Sequence, residues 1–509
     1  MVLLTERDAI NRRFGRSKIL GPLLMGIICL IVPVLVIIID PIHAFLKYKL
    51  RLAKGSTFYD IISNELPADH LSLYLFNFTN AARFLAGADR KLRVEEVGPF
   101  VFKEYRNYDN ISFSPDGKRM TMNPKIRSEF IPEMSLAHPK DLNLTVPNLP
   151  LLSSATLLSE LPGVVHFAFN MVVRSMNSKA IINLNLDEYL WGYEDPIMSL
   201  ANKLAPGMVY FKTMGLLDRF YDYDSEYRME ISAANKDKFQ IKSVKKLTHM
   251  HMEGYEHIEE SEQTFKQTYE GCGYPPDLTP DIPINIYRLG VCKTFPLEYQ
   301  ETKMMDYGGE ALIYTFSNMT YVNERIPNQR TLPDGLMDLS KCYYNLPFGI
   351  SNPHFLDTDP KLLDRIEGLK PDRNVHYNRV TVDRRVAVTI NTEMGLQLNM
   401  VLGDLDFNSE TQKFTNTVIP LVHVKVRQVR MSDNTMSKFY LVYTIAPNIL
   451  KSLEAVFVVI GLALITYALR SLYFNWLSRT NTILFESAIE NKSVIIVELP
   501  LLNVADICR

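Results

Sequence analysis

The sequence predicts an α+β membrane protein in which two transmembrane helices flank one large ectodomain. Three observations carry this. An apolar run lies near each end, a long middle shows the period-two alternation of strands, and one stretch of that middle changes to a helical period. At 509 residues the chain exceeds one ordinary soluble domain. Its formal net charge of −2 argues against a nucleic-acid partner, which draws a basic stripe. A composition of 47% hydrophobic and 22% charged residues is average, which fits neither a multispanning transporter nor a disordered chain.

The first run, Ile19 to Ile39, holds no charge in 21 residues. A helix needs about 20 apolar residues to cross about 30 Å of hydrocarbon. A cleaved signal peptide has a shorter apolar stretch, roughly 7–15 residues, and a small-residue cleavage site. This run ends in Ile39-Asp40-Pro41 and is expected to remain as an uncleaved anchor. The second run extends from Ile449 to about Phe474, with an uncharged centre from Ala455 to Leu469. Lys451 and Glu454 in its first turns can pair, or Lys451 can snorkel to the headgroups. Arg7, Arg12, Arg13, Arg16 and Lys18 precede the first span, so both termini are expected in the cytoplasm. The expected organisation is therefore a cytoplasmic segment 1–18, a span 19–39, an extracellular or lumenal domain 40–448, a span 449–473 and a cytoplasmic tail 474–509. Sequons at Asn77, Asn110, Asn143 and Asn318 fall in the ectodomain and are candidate glycosylation sites; a fifth, at Asn491, falls in the tail and is expected unmodified.

Within the middle, His70–Phe78 has strand length, and Val94–Tyr105 reads as a strand broken at Gly98-Pro99. Glu310–Val322, Val386–Asn399 and Val418–Val429 alternate or are rich in β-branched residues. Leu149–Leu161 and Val164–Met176 read as helices separated by Pro162-Gly163. The second of these is apolar nearly all round, so it is either buried or a docking face. Catalytic and nucleotide-binding motifs are absent, and no enzyme activity or cofactor is expected. The nearest metal-like cluster is His249, Met250, His251, Met252 and His257, which reads as a strand with solvent-facing alternate residues; no metal is expected. Cys272, Cys292 and Cys342 are the three cysteines of the middle, an odd number whose pairing does not follow from spacing.

Particular strings go further. Tyr74–Asn80 (YLFNFTN), Glu95–Glu104 (EEVGPFVFKE) and Leu190–Pro196 (LWGYEDP) closely resemble the class B scavenger receptor family. Gly335–Cys342, Pro353–Leu356, Gly368-Leu369 and Leu396–Asn399 follow in that family's order, so the resemblance covers nearly the whole chain. It implies an antiparallel β-barrel core, an apical helical bundle at 149–179 and an apolar tunnel leading towards the membrane. It implies a receptor that captures lipid or lipoprotein-type ligands at the apex and passes hydrophobic cargo to the bilayer. Such transfer is favourable at about 0.8 kcal/mol per buried CH₂. On this resemblance His166, Phe167, Phe169, Arg174 and Lys179 are the expected apical contacts, with His166 the nearest candidate for a pH-sensitive one. The sparse cations, Arg174 and Lys179 with Lys203 further on, suit neutral lipid better than a polyanion.

The resemblance also pairs Cys292 with Cys342 and leaves Cys272 free, because Asn323–Pro333 lacks the family's Cys-x-Cys element. Asp383-Arg-Arg-Val386 stands where a Pro-x-Thr-Gly turn is expected. The family's juxtamembrane cysteines are missing, with Cys508 the only tail thiol. Glu498-Leu-Pro-Leu501-Leu502 is one spacer short of an acidic dileucine signal, so plasma membrane is expected ahead of lysosome. The alternative function is a protein-docking receptor, for lysosomal hydrolase sorting or for recognition of apoptotic cells or microbes, using the same apex without lipid flux. A two-span ion channel is disfavoured because neither span carries a polar face.

Overall fold

The structure, a computed structural model, describes the chain apart from residues 1, 205–208, 210, 222–224, 250–255, 261–264, 324–331 and 491–509. Met250, His251, Met252, Asn491, the dileucine-like string 498–502 and Cys508 lie outside the described residues. The chain divides into two compact units, one made of both chain ends and the other spanning Phe45–Tyr440.

The first unit pairs helix Val2–Ile39 with helix Ala446–Glu490. Each contains a stretch long and apolar enough to cross a membrane. Gly26, Cys29 and Pro33 form a buried stripe at helical spacing, with Gly26 facing Gly461 and Ile465. A Cβ on Gly26 would lie 3.0 Å from the Gly461 carbonyl oxygen, and one on Gly461 3.0 Å from that of Gly26. The two backbones therefore meet where both residues are glycine, as small residues allow in membrane helix pairs. Leu24, Ile28, Ile31, Leu35, Val459 and Leu462 point outward, where a bilayer would cover them. The second helix starts close to the expected 449 but runs well past 473, to Glu490.

The second unit is built on one sheet. Its main path contains β1 (Leu66–Phe78), β2 (Leu92–Phe113), β3 (Arg119–Phe130), β4 (Ser225–Ser232), β5 (Ile241–His249), β6 (Glu256–Glu260) and β7 (Thr268–Tyr269). It continues with β8 (Ile284–Arg288), β9 (Lys293–Met304), β10 (Glu310–Phe316), β11 (Arg379–Asp383), β12 (Thr389–Val401) and β13 (Val418–Gln428). The spatial order is β6-β5-β4-β3-β2-β1-β13-β12-β11-β10-β9-β8-β7. Among these thirteen strands nearly every neighbour is therefore the next in sequence. The exception is β1 against β13, antiparallel, which joins the start of the domain to its end. A bridge between Gln240, just before β5, and Tyr269 of β7 brings the far ends of the order together. The sheet is thus nearly closed, as a barrel-like core requires to hide its edges.

Inward residues of this sheet form the core. Leu73, Leu75, Phe100, Met120, Phe295, Leu312, Val382, Met400 and Ile419 are at most 1% exposed. The expected break at Gly98-Pro99 is instead an irregularity inside one long strand, β2. Register shifts between Leu73 and Leu75, and a Cβ at Gly98 would sit 2.5 Å from the Leu73 carbonyl oxygen. Only glycine permits that approach. Cys292 and Cys342 form a disulfide, and Cys272 remains a thiol. The Asp383–Val386 turn is organised by a carboxylate. Asp383 is fully buried, accepts the N–H groups of Arg385 (3.1 Å) and Val386 (2.7 Å), and takes the Tyr307 hydroxyl at 2.8 Å.

Candidate functional site

The helical insert rises from a two-stranded ribbon, Asn143–Pro147 against Ile181–Asn185. Its first helix is Leu149–Leu158 and its second Gly163–Ser175, so Pro162 separates the two as its lack of an N–H dictates. Asn148 caps the first helix by accepting the Leu151 N–H at 3.2 Å. Asn177 ends the second in the left-handed conformation (φ 48°).

The LWGYEDP string explains its own distinctness here, because it anchors the base of the insert. Tyr193 Oη accepts the Leu149 N–H at 2.9 Å. Asp195 is buried; its Oδ2 accepts Asn148 Nδ2–H at 3.1 Å, and its Oδ1 accepts the Ile197 N–H at 2.8 Å at the start of helix Pro196–Leu204. Trp191 meets Phe102 of β2 edge-on and stacks on Tyr221. The polar bonds thus hold the base of the insert together, and the Trp191–Phe102 contact ties that base to the barrel.

The first insert helix is buried from Leu149 to Ser153 and opens towards its end, at Leu157. The second has two different faces. Val164, Phe167 and Met171 are 74%, 66% and 60% exposed, and Leu157 and Leu161 beside them are 46% and 44% exposed. Spacing of three and four residues places the first three in one stripe. The opposite face packs on the 403–410 loop. His166 stacks on Phe407 with ring centroids 4.0 Å apart, and its Nε2 lies 3.0 Å from the Leu158 carbonyl oxygen. Asn170 donates to the Phe407 carbonyl and accepts from Asn408, both at 2.7 Å.

This placement sorts the five apical residues. Phe167 lies on the outward stripe and Arg174 is exposed. Phe169 is corrected as a surface contact: it is 7% exposed and turned towards Phe407, because it sits two positions from Phe167 and so on the other side of the helix. His166 is half-buried and already engaged. Lys179 is paired with Glu410 at 2.9 Å. Of the sequons, Asn110, Asn143 and Asn318 are exposed, whereas Asn77 is half-buried and accepts the Thr145 N–H at 2.9 Å.

A second constellation was hidden in the sequence. Glu96 of β2, His354 of the Pro353–Phe355 turn, His376 and His423 of β13 meet beneath a cleft of about 780 Å³. That cleft is lined by Tyr314, Phe316, Tyr321, Arg373, His376 and Tyr377 among others. Glu96 Oε1 accepts from His423 Nδ1 (2.8 Å) and His354 Nε2 (3.2 Å). Burial alone would raise the Glu96 carboxyl, but the two imidazole donors outweigh it and hold it at about 2. Burial lowers His376 to about 4, helped by the neighbouring imidazoles. Two of the four residues lie inside family strings, EEVGPF and PHFL, but nothing along the chain links them to His376 and His423. Of the His249–His257 cluster, His249 closes β5 and His257 lies on β6.

Two terminal helices of membrane-crossing length around one barrel-like domain with a docked helical insert define a class, a membrane protein with a single large ectodomain. Residues 23–472 match the CD36 family, and the chain belongs to it. Scavenger receptor class B member 1 of Sus scrofa is 26% identical over 418 residues, covering 80% of each chain. Protein peste of Drosophila melanogaster is 26% identical over 394 residues, 74% of this chain and 68% of its own. Lysosome membrane protein 2 of Homo sapiens is 23% identical over 406 residues, 77% of this chain and 81% of its own. The family thus includes scavenger receptors, which supports a membrane receptor role for this chain.

Proposed function

We propose that this receptor captures lipid or lipoprotein-type particles at the tip of its helical insert and passes hydrophobic cargo through the barrel to the bilayer. The observation that carries the proposal is the outward stripe of Val164, Phe167 and Met171, with Leu157 and Leu161 beside it, on a helix held rigidly from its other face. A contiguous exposed apolar patch marks an interaction surface. Arg174 is the exposed cation beside it and Lys179 is paired, which favours neutral lipid over polyanions. Residues 40–448 are assigned outside the cytoplasm, with Asn110, Asn143 and Asn318 as glycan acceptors, and residues 1–18 and 474–509 inside. The plasma membrane is the proposed location.

The test is lipid extraction and mass spectrometry of the full chain purified in a non-lipid detergent. A bound neutral lipid class is expected, together with loss of particle uptake in cells when core residues such as Leu75 or Met400 are enlarged to Trp without unfolding. Lipid-free protein with normal uptake in such variants would refute lipid transfer. Retained capture of a protein ligand by lipid-free protein would instead establish the docking-only function.

A further inference from the structure

The hydrogen bonds of the Glu96–histidine cluster fix where its neutral rings carry their protons. The N–H of Lys370 reaches His354 Nδ1 at 3.1 Å, and the N–H of Asp372 reaches His376 Nδ1 at 3.2 Å. A main-chain N–H can only donate, so both Nδ1 atoms are bare acceptors and both neutral rings carry their proton on Nε2. The Nε2–H of His354 then donates to Glu96. His423 donates to the same oxygen through Nδ1–H, which leaves its Nε2 bare. The rings of His354 and His376 stack at 4.6 Å, and His423 meets both edge-on at 5.8 and 5.5 Å.

Three imidazoles with donor atoms within 4.8 Å of one another have the composition of a metal site. The tautomers do not fit one. A ligating imidazole offers one bare nitrogen to the metal and donates from the other. Here the second nitrogen of both His354 and His376 faces an N–H donor, so ligation through Nε2 would strip each ring of its last proton. The cluster is built for neutral rings around one carboxylate.

An added proton has no satisfactory place in it. On His354 or His376 it would occupy Nδ1 and face a main-chain N–H. On His423 it would occupy Nε2, among the other two rings. His376 is the member that lines the cleft and so the one that meets solvent protons first. We propose that the cluster is an acid-opened latch: protonation of His376 breaks its bond to the Asp372 N–H and releases the 370–378 segment, which walls the cleft.

The charged groups around the latch are consistent with this. Burial and the neighbouring His354 and His423 oppose charge on His376, while Glu96 and, on its own segment, Asp372 favour it. From β1, Tyr74 stacks on His423; from β13, Lys425 disfavours charge on His423 while Glu96 favours it. Beyond the cluster the segment's far end is anchored at Asn378, whose Oδ1 accepts the Gly395 N–H and whose carbonyl accepts the Thr315 hydroxyl, both at 2.8 Å; between the cluster and that anchor the contacts are exposed, Arg373 to Asp357 at 2.5 Å and Tyr377 to Glu393 at 2.5 Å. Contacts of that kind contribute little. Glu393 also pairs with Arg427.

The test is hydrogen exchange read by mass spectrometry on the full chain in lipid nanodiscs, from pH 7.5 to 4.0, with labelling times scaled to the intrinsic exchange rate. Between the ordinary histidine value and about 4, protection of the 370–378 peptides is expected to fall by up to about tenfold per pH unit, while β1 and β2 peptides stay unchanged. His376→Gln keeps an acceptor for the Asp372 N–H and cannot titrate, so it is expected to hold the segment closed at pH 4.5. Asp372→Pro removes the N–H itself and is expected to open the segment already at pH 7.5. Unchanged protection in the native chain, opening of His376→Gln along with it, or a closed segment in Asp372→Pro would each overturn the proposal. So would one zinc per chain by elemental analysis.

Discussion

Phe167 and Phe169 lie two positions apart on one helix and face opposite ways, which makes them a matched pair for testing the apex. Phe167 is 66% exposed. With about 200 Å² for a phenylalanine side chain, roughly 130 Å² of apolar surface is open to a ligand. Covering it would contribute about 3 kcal/mol at about 25 cal/mol per Å². Alanine retains a little of that area, so Phe167→Ala is expected to lose about 2–3 kcal/mol of particle affinity, roughly 30- to 150-fold. Its thermal unfolding should be unchanged, because no core contact is lost. Phe169→Ala removes a ring that is 7% exposed and packed against Phe407, and is expected to cost about 3–5 kcal/mol of stability. The assay is fluorescence anisotropy of phosphatidylcholine–cholesteryl ester particles on the full chain in detergent, with thermal unfolding measured in parallel. Particle affinity within about twofold of the native value in Phe167→Ala would refute the apical stripe as the docking surface.

Further outcomes follow from other parts of the fold. Arg106 is nearly buried and pairs with Asp69 at 2.8 Å, with the Cys272 sulfur at 3.6 Å as its other side-chain contact; Asp69→Ala removes the paired carboxylate and is expected to cost about 3 kcal/mol, and a change of under about 1 kcal/mol in chemical unfolding would contradict this. Glu96 is held below its unfolded value of 4.5, so its stabilisation is complete above that value and is lost as pH falls towards about 2. With its side chain 29% exposed, that contribution is on the order of 2 kcal/mol, and a Glu96→Gln variant should show a flatter acid unfolding profile than the native chain. Cys292–Cys342 closes a sequence separation of 50, and reduction is expected to lower stability by about 2–4 kcal/mol, read as a shift of the thermal midpoint. Peptide mapping of glycan occupancy is expected to find Asn110, Asn143 and Asn318 modified and Asn77 poorly occupied, since its side chain holds the Thr145 N–H; full occupancy of Asn77 would show that bond to be dispensable.

Legibility varied with the range of the forces involved. Both membrane helices were visible because an uncharged run of that length has few other uses. Strands β1, β12 and β13 and the two insert helices were readable within a few residues from local period and from Pro162. The closure of the sheet by β1 against β13 was not, since hydrogen bonding between the two ends of a domain leaves no local trace. The continuity of β2 through Gly98-Pro99 also escaped, because a glycine and a proline together signal a turn unless a neighbouring strand needs the close approach.

The sequence by itself determined the class of molecule: two apolar helices, a strand-rich domain between them and a helical insert in it. It did so because hydrophobic period and length are properties of neighbouring residues. Tertiary structure alone decided which face of the second insert helix is outward, since that helix is apolar nearly all round and its inner face is chosen by Phe407 and Asn408 from far down the chain. It alone decided that Glu96 meets His423 across 327 positions, with His354 and His376 beside them. Protonation chemistry of that kind depends on which donors and acceptors face one another in space, and spacing along the chain carries no record of it.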